Sequence, residues 1–259
     1  MSAALDVGLR EIGISSHAPL PFETSWTMPV PRLAEYVRDV RAAAAAFAGR
    51  ITVLLGAELD FIPDERVLEF QRAEILSRPF DYFVGSVHYL GATYPPRAYD
   101  ESEERFQSLL TEEYGHDMRA MIEDYYRRVQ RMLDTPRLTI VGHLDRIKLW
   151  NADGRYFREQ EPWYVDIVER TLRAIAVRDV TVELNTKGWS MKLPDPQPSP
   201  WILERCAELG IPITVSSDAH RPEDVARWFD RALILLQDLD ITPRSPCTSW
   251  GTASESQRS

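Results

Sequence analysis

Four of the five histidines in this 259-residue chain each close a short apolar run: His17 in IGISSH, His88 in YFVGSVH, His143 in LTIVGH and His220 in ITVSSDAH. Two acids hold equivalent places, Glu58 after VLLGA and Asp218 two residues before His220. Imidazole nitrogen together with carboxylate oxygen suits Zn²⁺, Mn²⁺ or Fe²⁺, whereas Ca²⁺ and Mg²⁺ favour shells of oxygen. A carboxylate that bridges two such ions holds them about 3.5–4 Å apart, close enough to share and activate one water. Glu183 in VTVELN ends a sixth run, where it is either a further ligand or a residue that orients one. The fifth histidine, His116 in the polar stretch YGHDMRA, reads as a solvated surface residue.

No competing catalytic apparatus stands out. The chain has no Walker loop, no G-x-G-x-x-G and no G-x-S-x-G elbow. Cys206 falls inside the helical pattern WILERCAELG without an adjacent base, and Cys247 lies near the C-terminus. Two cysteines and no signal-like segment suggest a reduced, cytoplasmic setting. The net charge of −10 argues against the phosphate backbone of nucleic acid as a partner. No apolar run is long enough to span a bilayer. Nothing in the sequence sets an oligomeric state.

The elements that must position these residues follow from the hydrophobic pattern. Strands are expected at 12–15, 51–57, 82–87, 138–141, 180–184 and 213–216. Helices are expected at 30–48, 64–77, 101–133, 159–177, 199–209 and 222–236. Strands that alternate with helices imply an α/β fold with parallel strands, in which every strand's carboxyl end faces one side, where ligands bind. A doubly wound sheet and a barrel both satisfy this pattern. The segment SAALDVGLREIG reads as the second half of a crossover helix reaching Gly13, with no strand before it. Residues 1–241 read as one domain, and the Ser/Pro/Thr-rich 242–259 as a disordered tail.

The fragments GAELDFIP, PFDYFVGSVHYL, VGHLDRIK, VELNTKGW and PITVSSDAHRPEDV, in this order and spacing, resemble the PHP-type (polymerase and histidinol phosphatase) phosphoesterases. The likeness is closest to the histidinol-phosphatase branch and covers roughly residues 4–236. It implies a distorted seven-stranded (β/α) barrel, TIM-barrel-like, carrying two or three divalent metals at its C-terminal rim. It also implies hydrolysis of L-histidinol phosphate, a small-molecule phosphate monoester, in histidine biosynthesis. By the resemblance, Glu58, His88 and His143 serve one metal, His17 and His220 a second, and Asp218 with Glu58 a third. Members of the family open on a strand ending in His-x-His, which this chain lacks, and Ser16 stands where an aspartate is common. The expectation is therefore a barrel without its first strand, from a start placed too late.

On this reading Glu58, Asp218 and His220 take part in catalysis, with Asp218 or His220 orienting the nucleophile or protonating the leaving oxygen. Lys187, Lys192, Arg158 and Lys148 are candidates to hold the phosphate. Trp189 and Tyr89 are candidates to line a pocket for the substrate's ring. Two alternatives stay open: a PHP phosphoesterase for another phosphate monoester, and a ligand-depleted barrel that binds or scaffolds.

Overall fold

A computed structural model describes residues 1–191 and 193–245. Among the described residues eight strands form in chain order: β1 (Glu11–His17), β2 (Thr52–Asp60), β3 (Tyr82–Ser86), β4 (Tyr89–Leu90), β5 (Arg97–Ala98), β6 (Ile140–Val141), β7 (Thr181–Asn185) and β8 (Ile213–Ser216). The helices are α1 (Ser2–Asp6), α2 (Leu33–Ala46), α3 (Glu65–Gln71), α4 (Glu103–Tyr114), α5 (Met118–Met132), α6 (Pro162–Ala176), α7 (Pro200–Glu208) and α8 (Phe229–Asp238). Six strands make one parallel sheet in the order β1-β2-β3-β6-β7-β8, curled into a half-barrel. Each new strand is laid beside the previous one with no reversal. That is the winding of a barrel, and it excludes the doubly wound sheet. The antiparallel pair β4–β5, which the hydrophobic pattern did not reveal, stands apart as a small hairpin after β3.

Where the helices differ from expectation, local chemistry accounts for it. The helix expected over 101–133 is two. Gly115 ends α4 in the left-handed conformation, and the Asp117 side chain accepts the Ala120 N–H to start α5. The helix expected from Pro222 forms only a 3-10 turn over Pro222–Asp224. Ala226 and Trp228 then take positive φ, and α8 starts at Phe229. The N-terminal helix stops at Asp6, with Gly8 at φ 79°, so Gly13 lies in mid-strand rather than at a helix end.

Gly13 has a packing role there. A Cβ on Gly13 would lie 2.2 Å from the Tyr82 hydroxyl, and one on Gly56 would lie 2.3 Å from the Tyr82 ring. The two glycines of adjoining strands clear a bed for this side chain, which packs with Leu54, Val84 and Ile140. A larger core joins α4–α8 to β6–β8, and a second packs α1 and α2 on β1 and β2. Among the described residues β1 pairs only with β2 and β8 only with β7, so the sheet ends in two edges. The described chain finishes between them: Arg244 N–H donates to the Ile213 carbonyl at 2.7 Å, and the Ser245 hydroxyl bonds the Glu11 carboxylate. The remainder of the expected tail, 246–259, lies outside the described residues, as does Lys192.

Gly56→Ala tests the bed for Tyr82. Overpacking of this kind costs about 1–3 kcal/mol, so urea unfolding should show a midpoint lowered to match. An unchanged midpoint would mean that Tyr82 moves aside freely.

Candidate metal centre

The parallel register delivers the polar side chains to one rim. His17 is the last residue of β1 and sits opposite Glu58 of β2; Asp60, two residues on, sits opposite Ser86 at the end of β3. His88 follows β3 by two residues and His143 follows β6 by two. Glu58, partly buried, accepts a hydrogen bond from the Ser86 hydroxyl at 2.6 Å. Around it stand His143 Nε2 at 3.3 Å, His17 Nε2 at 3.6 Å and His88 Nε2 at 3.8 Å. Burial opposes the charged form of Glu58, but the imidazoles outweigh it and hold the carboxyl well below its ordinary range.

Asp60, fully buried, was not anticipated. Its carboxylate bonds His88 Nδ1 and lies 3.6 Å from His17 Nδ1. Burial pushes Asp60 up, and His88 followed by His17 more than reverses that, leaving it at about 2. An ionised Asp60 keeps the proton of His88 on Nδ1 and turns the Nε2 lone pair inward, the arrangement that orients a metal-binding histidine. There His88 Nε2 meets His143 Nε2 at 3.2 Å, two ring nitrogens aimed at the same space beside Glu58. His17 Nδ1, Asp60 Oδ2 and His143 Nδ1 are buried without a hydrogen-bond partner. Two overlapping sets have metal-ligand spacing among the described residues: Glu58, His88 and His143, and His17, Asp60 and His88. Facing nitrogens, an ionised carboxylate and orphaned buried polar atoms fit a divalent transition metal.

Glu183 turns one oxygen to the backbone N–H of His143 at 2.7 Å and takes 3.3 Å from the Asn185 amide, so in this structure it fixes the His143 loop. Burial raises its pKa. That loop is strained: His143 has φ 20°, and Asp218, on the loop after β8, has φ 46°. Asp218 is bound to Asn185 at 3.3 Å and to Lys187 Nζ at 3.3 Å. His220 is exposed, with Nδ1 at 3.0 Å from Lys187 Nζ and 2.9 Å from the Asp218 carbonyl. Neither Asp218 nor His220 joins the two ligand sets, so the expected sharing of one ion by His17 and His220 is not formed here.

The cations divide. Lys187 stands at the rim beside Asp218 and His220, whereas Lys148 is turned inward. Its Nζ is 2.7 Å from Asp145 and 3.7 Å from Glu159 and bonds the Ser199 hydroxyl, so it is neutralised by these acids and does not offer its charge to a ligand. Arg158 is exposed on the loop before α6, and its backbone N–H bonds Glu161. A cation that went unmentioned is better placed. Arg146, buried, bonds Asp100 at 3.0 Å, and Asp100 is 3.9 Å from His88 Nε2. One terminal nitrogen of Arg146 bonds Met191 Sδ at 3.2 Å and Gln197 at 3.3 Å; the other has no hydrogen bond to a described residue. Tyr89 is buried, stacked on Trp26 at 5.6 Å, and the Trp189 ring lies under the Arg231 guanidinium at 4.2 Å. His116 is a surface residue, 3.4 Å from Thr111. Cys206 is buried, and burial pushes its thiol up to about 12, which leaves it unsuited to nucleophilic work.

A half-barrel with imidazoles and carboxylates gathered at its C-terminal rim is an α/β architecture with side chains at metal-ligand spacing, and comparison with known proteins defines it further. Residues 1–187 match the PHP domain model. The chain belongs to the PHP family. It is 31% identical over 239 residues to a protein of Deinococcus radiodurans named "Probable histidinol-phosphatase", covering 92% of this chain and 85% of that one. Its fold is similar to that of the histidinol phosphatase candidate HisK from Listeria monocytogenes, with TM-score 0.78 and 20% identity over 89% of this chain and 91% of that chain. It is also similar to histidinol phosphate phosphatase from Lactococcus lactis, solved with Zn, L-histidinol and phosphate, with TM-score 0.65 and 20% identity over 93% and 86% of the two chains.

Two measurements test the role of Asp60 and the charge balance. Asp60→Asn should weaken Zn²⁺ binding about 10–100-fold in competition with a chromogenic chelator, the usual cost of losing a carboxylate behind a ligating histidine. In metal-free protein the pH dependence has a definite sign. His17, raised to about 10 by Glu58 and Asp60 against the opposing effect of burial, contributes stability that is full below its unfolded value of 6.5. That contribution is lost as pH rises through about 10. The unfolding midpoint should fall across this window, and His17→Gln should flatten the fall; a flat wild-type profile would exclude the pairing.

Proposed function

We propose that this chain is a metal-dependent phosphoric monoester hydrolase whose substrate is L-histidinol phosphate. The observation that carries the reading is the convergence of His88 and His143 Nε2 beside Glu58, with Asp60 fixing the tautomer. The names of the Deinococcus and Lactococcus proteins support the choice of substrate. Glu58, His88 and His143 would hold one ion and His17, with Asp60 behind it, would serve a second. When bound, such ions lower the pKa of water towards about 7 and neutralise charge on phosphoryl oxygens.

The chain's own residues prepare that chemistry. Arg146, held by Asp100, Gln197 and Met191, keeps one terminal nitrogen for a phosphate oxygen, and its planar guanidinium suits that partner. Lys187 adds a second positive group at the mouth, against a net charge of −10 that would otherwise repel the substrate. Asp218 and His220, bonded to Lys187, are the groups assigned here to orient the nucleophile or protonate the leaving oxygen. The strained loops at His143 and Asp218 hold these groups in place before substrate arrives.

Glu58→Gln and His143→Ala, assayed for bound metal by elemental analysis and for phosphate release from a panel of phosphate monoesters, test the proposal. Each should lose at least one equivalent of metal and about 10³-fold or more in kcat, on the scale of removing one electrostatic stabiliser. L-Histidinol phosphate should have the highest kcat/KM of the panel. Full metal content and activity in both variants would overturn the site, and preference for another monoester would overturn the substrate.

A further inference from the structure

Asp100 and Arg146 form an ion pair that is left half open. Arg146 Nε bonds one oxygen of Asp100 at 3.0 Å, while Nη1 is shared by Met191 and Gln197. Nη2 and the second oxygen of Asp100 bond no described residue, and neither atom is sealed from solvent. An arginine–carboxylate pair built for stability alone would close the fork with two parallel bonds. Here Nε and Nη2 share one edge of the guanidinium, and only Nε is engaged. The pair therefore presents one open donor and one open acceptor side by side.

Both members are tied through the backbone to the loops that carry His88 and His143. Arg146 N–H donates to the His143 carbonyl at 2.8 Å, and Tyr99 N–H donates to the His88 carbonyl at 3.1 Å. Tyr99 is fully buried. Its hydroxyl donates to the Val87 carbonyl at 2.9 Å, and its own carbonyl accepts the Trp150 indole N–H at 3.1 Å. Asp100 follows at once, and its bonded oxygen lies 3.9 Å from His88 Nε2. Yet Asp100 belongs to neither set with metal-ligand spacing. A carboxylate with a free oxygen beside a phosphate position disfavours any phosphate monoester that brings no cation to it.

L-Histidinol phosphate carries its ammonium on the carbon next to the one that bears the phosphate ester. A phosphate oxygen on Arg146 Nη2 thus brings a vicinal ammonium to the open oxygen of Asp100. We propose that Asp100 selects for this ammonium, so that the Arg146–Asp100 pair reads a vicinal amino phosphate as one unit. The carboxylate attracts the ammonium and turns away monoesters that lack it, which gives specificity in both directions. This inference rests on the phosphatase reading above and adds the feature of the substrate that the site recognises.

Turnover of two monoesters by the metal-loaded protein tests it: L-histidinol phosphate and its deamino analogue, in which hydrogen replaces the ammonium. The readout is the ratio of their kcat/KM values. The wild type should favour L-histidinol phosphate. Asp100→Asn keeps an oxygen for Arg146 Nε but loses the charge, and the ratio should fall about tenfold or more, the scale of a hydrogen bond to a charged group. An Asp100 that only positions Arg146 would slow both compounds by the same factor, and an unchanged ratio would overturn the proposal. So would a wild type that does not distinguish the two compounds. If Asp100→Asn does not fold, Asp100→Ser is measured in its place by the same ratio. If the wild type hydrolyses neither compound, the phosphatase reading fails, and calorimetric affinities for the same two compounds then decide the role of Asp100 by the same comparison.

Discussion

A partly buried carboxylate surrounded by imidazoles is the constraint on which this half-barrel depends. Glu58 sits inside the curl of the sheet, where an isolated negative charge would be costly, and three other strands contribute something that makes the charge tolerable. β1 brings His17, β3 brings Ser86 and then His88, and β6 brings His143. None of these can shift by one residue, because a slip in register would turn every second side chain to the opposite face. The chemistry of the rim and the pairing of the strands are therefore one problem with one solution. Asp60 extends it by a layer, fixing which nitrogen of His88 carries the proton.

Much of this was legible in the sequence because strand ends have a signature. A short apolar run that stops at a histidine marks a strand whose carboxyl end reaches the rim, and each of the six expected strands overlaps one observed in the sheet. Asp60 was also within reach: it is two residues from Glu58, and the period of two puts both side chains on the same face. Asp100 and Arg146 could not be found this way. They come from the segment after the β4–β5 hairpin and from a one-turn helix, so their pairing beside His88 is set by packing between residues 46 apart. Lys148 shows the reverse error. It lies two residues from Arg146 in the same fragment, yet the turn directs it to Asp145 and Glu159.

The arrangement of elements explains why the two kinds of residue behave differently. Side chains on β1–β3 inherit their direction from the sheet, so their sequence spacing translates directly into position. Side chains on the loops after β6 and β8 depend on backbone conformations that only the finished structure enforces. Asn185 illustrates the link: its amide spans Glu183 and Asp218, so β7 ties the loop that carries His143 to the loop that carries Asp218.

The positive φ angles of His143 and Asp218 have an evolutionary corollary. Each places a residue with a side chain where glycine would rest more comfortably, at a cost on the order of 1–3 kcal/mol. A lineage released from selection for its chemistry would gain folding stability from the very substitutions that abolish it. Decay of this centre is thus thermodynamically downhill.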